Sequence, residues 1–177
     1  MDTEEQKLIK NAQKGENQAF AELYDKYVDK IYRFILLKVG RKEDAEDLTQ
    51  QVFLKAWQNV KSYKPQGYVF SAWLYKIAHN TVIDYYRRNK SHKSLDAIQE
   101  IGYEISTTVL DDKNDLIKIK NAIYQLETTQ QSVIIMKFID ELSNKEISEI
   151  LGKSEGAIRV LQHRALKELK KYLENNG

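Results

Sequence analysis

Apolar residues recur every three or four positions along most of this chain, and a single proline, Pro65, stands in 177 residues to interrupt them. That spacing places the apolar side chains on one stripe of an α-helix, whereas a strand would alternate them. Seven glycines and one proline are too few turn-formers for the many reversals of an all-β chain. The spacing therefore predicts an all-α protein.

Start and stop signals divide the pattern into elements. Thr3-Glu4-Glu5-Gln6 has the form of a capping box, and Gly15 closes the short helix it opens. Asn17 is placed to cap a second helix, with Phe20, Leu23, Tyr27, Ile31, Phe34 and Ile35 on its stripe and Gly40 after its end. A third helix begins near Lys42 and carries Ala45, Leu48, Val52, Ala56 and Val60, widened by Phe53 and Trp57. Residues 61–67, with Pro65 and Gly67, read as a loop. The fourth helix, about 69–89, puts Phe70, Trp73, Ile77, Thr81 and Tyr85 inward and Lys76, Asn80, Ile83 and Arg87 on another face.

These four helices make a first domain, residues 1–90. Residues 91–112 lose the periodicity, are rich in Ser, Thr and Asp, and read as a flexible acidic linker. Such a segment spans roughly 70–80 Å when extended. A second small helical domain, 113–177, opens on a stripe of Leu116, Ile119, Ile123 and Leu126. Thr128–Gln131 and Ser143–Glu146 are two further capping boxes, and Ser154 is placed to cap the last helix.

Charge is uneven although the net is only +2. Residues 153–171 hold six Lys or Arg against two acids, residues 72–93 hold five against one, and residues 94–115 hold one against six acids. Two basic helices flanking an acidic connector suit two contacts with a polyanion. On charge alone, solvated helix faces account for them equally well.

Catalysis and cofactors find no support. The chain has no cysteine, so thiolate metal sites, disulfides and thiol chemistry are excluded. His79, His92 and His163 lack metal-ligand spacing, and no phosphate-cradling glycine loop occurs. The acidic, amphipathic start MDTEEQKLIK is unlike a secretion signal, and no apolar stretch approaches a membrane span. These features suit a cytoplasmic chain that neither inserts in membranes nor binds a cofactor.

The sharpest local signal is Asn144–His163. Ile147, Leu151, Ile158 and Leu161 are apolar where two short helices must pack, Ser148 is small at their approach, and Gly152 sits where the turn favours positive φ. This is the pattern of a helix-turn-helix whose second helix enters the major groove. Ser154, Glu155, Arg159, Gln162 and His163 would then lie near the groove, with Arg159 suited to guanine and Gln162 to adenine. Arg164 and Lys167 suit phosphates. Arg159 and Gln162 read equally as solvated surface groups when taken singly.

Residues 44–57, together with Ser71–Asn80, Asp84–Arg88 and the C-terminal Ser154–Arg159 and His163–Ala165, resemble the extracytoplasmic-function group of bacterial sigma-70 factors. The resemblance covers nearly the whole chain in the family's order. It implies that the helix of 44–57 docks on the clamp helices of the largest subunit of core RNA polymerase, presenting Asp47, Gln50 and Gln51. It implies that loop 61–68 and the helix after it read and melt the minus-ten element and hold the non-template strand. The C-terminal domain would read duplex minus-thirty-five DNA about 17 base pairs away, roughly 58 Å at 3.4 Å per step, and meet the polymerase flap. An anti-sigma factor is a further implied partner. Two positions depart from the pattern: Gln51 stands where many relatives have Glu, and Leu161 where many have a basic residue.

Melting also has a physical requirement, since unstacked bases are held by aromatics beside cations. Tyr63, Tyr68, Tyr75, Tyr86, Lys76, Asn80, Arg87 and Arg88 supply both types. Trp57, Phe70 and Trp73, at helical spacing, read as core.

Overall fold

The computed structural model describes residues 3–65, 69–88 and 113–175. Eight helices account for most of them: α1 (Thr3–Gln13), α2 (Asn17–Val39), α3 (Lys42–Asn59), α4 (Phe70–Arg88), α5 (Lys113–Gln125), α6 (Thr128–Ile134), α7 (Asn144–Leu151) and α8 (Glu155–Asn175). One 3-10 turn, Val60–Ser62, extends α3, and one π-helical turn, Ile135–Ile139, extends α6. No strand occurs among the described residues, and the expected linker 91–112 lies outside them.

Glycine and cap signals act locally, so most boundaries fall where expected. Gly40 takes φ 80° and Gly152 φ 63°, each returning its N–H to the carbonyl four residues back, Leu36 and Ser148. A β-carbon in that left-handed region costs about 1–2 kcal/mol. Ser143 and Glu146 cap each other reciprocally: the Ser143 hydroxyl oxygen accepts from the Glu146 N–H at 3.2 Å, and the Ser143 N–H donates to the Glu146 carboxylate at 2.8 Å. The Ser154 hydroxyl accepts from the Ala157 N–H at 3.2 Å.

Three start signals are displaced. Thr3 is itself helical. Glu16 precedes the first turn of α2, without a side-chain cap, and Asn17 is inside it. At α6 the box slides back one residue. Gln130 accepts from the Glu127 N–H at 3.1 Å, while Gln131 turns away to donate to the Tyr124 carbonyl at 2.9 Å. Adjacent glutamines offer the same chemistry, and the path of α5 selects between them.

In the first unit α2 is central, with Ile31, Phe34 and Ile35 wholly buried. Burial contributes roughly 1.5–3 kcal/mol for a side chain of this size. Glu5 is drawn in from α1 to accept from the Tyr27 hydroxyl and meet Lys26 at 3.3 Å, pinning α1 on α2. The last turns of α2 are buried on all sides, from Phe34 to Val39. A helix apolar all round needs neighbours all round, and here the C-terminal unit is one of them. It packs on α2 through α5 and the π-helical turn, and on α4 through α7. The buried side chains of both units form one continuous cluster.

Candidate nucleic-acid interface

The helix-turn-helix is formed by α7, the Gly152 turn and α8. Ile147 and Ile158 are fully buried between them, and Leu151 and Leu161 pack at the edge of the same core. Leu161 therefore faces inward. Ser154, Glu155, Arg159, His163, Arg164 and Lys167 are exposed. Arg159 reaches back to Glu155 at 3.5 Å along the helix. Gln162 is half-buried, and its amide nitrogen donates to the Asn144 side-chain oxygen at 2.7 Å. That bond ties α8 to α7 and turns the donor away from the position expected for adenine.

On α4, Asn80, Arg87 and Arg88 are exposed, Lys76 is half-buried, and Arg87 pairs with Asp84 at 3.0 Å. Two aromatics expected beside them are not on the surface, which corrects the sequence reading. Tyr63 packs against Phe70 and Trp73 with ring centroids 5.3 and 5.2 Å away, and burial pushes its hydroxyl up to about 12. Tyr75 is 1% exposed and packs edge-on to Phe34; burial, then the Asp140 carboxylate, raises its pKa far above the ordinary phenol value. Tyr86 is half-buried and donates to the Lys38 carbonyl. Tyr68 and His92 lie outside the described residues. Phe70 is core as expected, while Trp57 and Trp73 are half-buried.

The departures on α4 come from its packing. Tyr75, His79, Val82 and Tyr86 follow one another at spacings of four, three and four, so they share a strip of α4. That strip is covered from both halves: Phe34 and the Lys38 carbonyl of α2 meet Tyr75 and Tyr86, and α7 packs against α4. His79 meets α6 on the same side, with its Nδ1 3.4 Å from the Ser132 hydroxyl oxygen. Burial, then the Lys38 charge, pushes its pKa down to about 4.

A pH dependence follows. The unfolded chain protonates His79 near pH 6.5, whereas the folded chain resists protonation down to about 4. Stability is thus lost as pH falls through that window. Thermal unfolding at pH 7 and pH 5 should show a smaller drop for His79→Gln than for the wild type. Parallel drops would mean that His79 is not the group responsible.

On α3, Asp47, Gln50 and Gln51 are all exposed. Leu54 continues their stripe and is 57% exposed. The sequence reading missed it, because Leu54 falls off the buried stripe and no polar motif marks it. It also missed Lys38, whose signal was a lone charge inside the apolar run Phe34–Val39.

Residues 23–92 match Sigma-70 region 2, and residues 116–169 match Sigma-70 region 4. The ECF RNA polymerase sigma factor SigW of Bacillus subtilis is 37% identical over 182 residues, covering 96% of each chain. The chain belongs to the ECF sigma factors of the sigma-70 family.

A second ECF sigma factor, BldN of Streptomyces coelicolor, is 36% identical over 176 residues, which span 96% of this chain and 66% of BldN. The sigma fold is shared by CnrH in its complex with the cytosolic domain of CnrY, at 22% identity and a TM-score of 0.78, covering 98% of this chain and 99% of CnrH. It is shared too by RpoE bound to the anti-sigma factor NepR from Bartonella quintana, at 24% identity and 0.70, covering 88% and 96%. In this sigma factor α3 and α4 fall in region 2 and the helix-turn-helix in region 4. No described helix is long and apolar enough to cross a membrane.

Proposed function

We propose that this sigma factor binds core RNA polymerase, reads two promoter elements and opens the DNA between them and the start site. The observation that carries the reading is the order of its exposed surfaces within one sigma chain. A polar stripe on α3, with Leu54 at its end, precedes a basic, Asn-bearing face on α4, and a basic helix-turn-helix follows. Asp47, Gln50 and Gln51 present charge and hydrogen bonds to the clamp helices, and Leu54 adds an apolar anchor of the kind protein interfaces bury at their centre. Lys76, Asn80, Arg87 and Arg88 hold the melted minus-ten strand, aided by loop 61–68. Ser154, Glu155, Arg159, His163, Arg164 and Lys167 face the minus-thirty-five duplex. An anti-sigma factor is the expected antagonist, as NepR is described for RpoE.

The test is run-off transcription with bacterial core polymerase on a genomic fragment library. Discrete transcripts that require this chain support the reading; absence of both transcripts and core binding refutes it. At a promoter found this way, Lys76→Ala and Asn80→Ala should each lower permanganate-reactive thymines roughly tenfold, the scale of a lost specific base contact. Core affinity should stay unchanged. An equal loss of core affinity would make these side chains supports of the fold.

A further inference from the structure

The outer strip of α8 sets an apolar side chain among cations. Gly156, Val160, His163 and Lys167 follow one another at spacings of four, three and four, so they share one strip of the helix. That strip lies opposite Ile158 and Ala165, which are fully buried. All four of its residues are exposed, and Arg159 and Arg164 flank them, exposed as well. Val160, in the second turn of α8, is 49% exposed. Beside it the strip has a gap. Among the described residues, a β-carbon added at Gly156 would meet only the Ser154 hydroxyl oxygen, at 3.9 Å. Packing within the chain therefore does not call for glycine there, although glycine weakens a helix relative to alanine.

We infer that Val160 and the gap at Gly156 form a notch that seats the 5-methyl group of a thymine, so that α8 selects a thymine in the upstream promoter element. The inference deepens the proposed reading of duplex DNA by α8 and rests on it. Three physical arguments carry it.

The first is place. In a helix-turn-helix the N-terminal turns of the second helix reach the base edges, and Val160 lies on the outward strip of those turns. The second is charge. Arg159, Arg164 and Lys167 surround Val160 and suit a polyanion, so the surface that covers it is the duplex those cations hold. A single exposed valine is ordinary on a protein surface; one ringed by groove-facing cations goes where they go.

The third is chemistry. The valine side chain neither donates nor accepts a hydrogen bond, so it has nothing to offer the polar base edges. The thymine methyl is the apolar group that the major groove presents. A base pair with only polar edges at that place would lose water and gain no partner. Val160 thus favours thymine and disfavours cytosine by one contact. Its β-branched side chain is stiff at χ1 in a helix, so little freedom is lost on contact. The missing side chain at Gly156 lets the helix come close enough for the methyl to touch.

Replacing thymine by uracil removes that methyl group and leaves the Watson–Crick pairing unchanged. At a promoter found by run-off transcription, each thymine of the upstream element is replaced by deoxyuridine in turn, on either strand. Holoenzyme formed with the full chain is then competed between the altered and normal duplexes at fixed salt. With the wild type, one replacement should weaken binding about fourfold, the equivalent of about 0.8 kcal/mol for one buried methyl. Val160→Ala should weaken binding to the normal duplex by a similar factor and become indifferent to that same replacement, a non-additive pair. Alanine is a better helix former than valine, so its unfolding midpoint should not fall. Gly156→Ala should keep or raise the midpoint, weaken binding, and shrink the difference between thymine and uracil.

The thymine reading is overturned if the wild type ignores every uracil replacement while still preferring the intact element to a scrambled one. It is overturned equally if Val160→Ala keeps the full penalty, which would give the methyl to another side chain, or if Gly156→Ala binds at full strength. Loss of all preference for the intact element, in the wild type itself, would instead overturn the assignment of α8 to duplex reading and take the thymine notch with it.

Discussion

Arg33→Ala is expected to weaken the packing of the two helical units by about 3 kcal/mol, the scale of removing one partner from a buried ion pair. The reason lies in the asymmetry of the pair. Arg33 keeps 32% side-chain exposure while Asp140 has none, so truncating the arginine strands a carboxylate that water cannot reach. Burial already raises the Asp140 pKa, with Arg33 opposing that rise. The loss is capped by the strength of the contact itself, because Asp140 is rehydrated once the units part. Both tryptophans, Trp57 and Trp73, belong to the first unit, so their emission reports that unit while far-ultraviolet circular dichroism reports all helices. The two urea transitions should coincide in the wild type and separate in Arg33→Ala. The double variant Arg33→Ala, Asp140→Asn should recover much of the loss, because a neutral amide is cheaper to bury. Coincident transitions in Arg33→Ala, at an unshifted midpoint, would show that the pair does not hold the units together.

Arg159→Ala should reduce transcription from promoters with an intact upstream element by about 5- to 150-fold, the equivalent of 1–3 kcal/mol for a lost base contact. Its side chain is 66% exposed and pairs with Glu155 along the same helix. Such exposed pairs contribute about 0.3–0.5 kcal/mol, so the unfolding midpoint should barely move. The comparison that decides is the same variant on a template whose upstream element is scrambled, where the penalty should nearly vanish. Equal penalties on both templates, with a salt slope reduced by about one, would instead assign Arg159 to a phosphate.

Some of this protein could be read without its structure because the determining interactions are local. Gly40 and Gly152 end helices through their own left-handed backbone. Ser143 and Glu146 cap α7 from three residues apart. Ile147 and Ile158 sit on stripes that amphipathic helices must bury. The all-α class, the helix-turn-helix and the exposure of Arg159, His163, Arg164, Asn80 and Arg87 all follow from signals of that range.

What the sequence could not decide depends on partners far along the chain. Tyr75, His79 and Tyr86 occupy a strip that is outward only if α4 stands alone. Lys38 looks like an error in an apolar run until Thr128 and Ser132, 90 and 94 residues later, accept its protons. Arg33 finds Asp140 107 residues away. Tyr63 was read as a loop aromatic, yet it joins the core because Phe70 and Trp73 fold back onto it. Periodicity determines which face of a helix avoids water, since that is a property of one segment. Which polar groups are buried as well was settled by tertiary packing, because a charge can leave water only where another element brings it a partner.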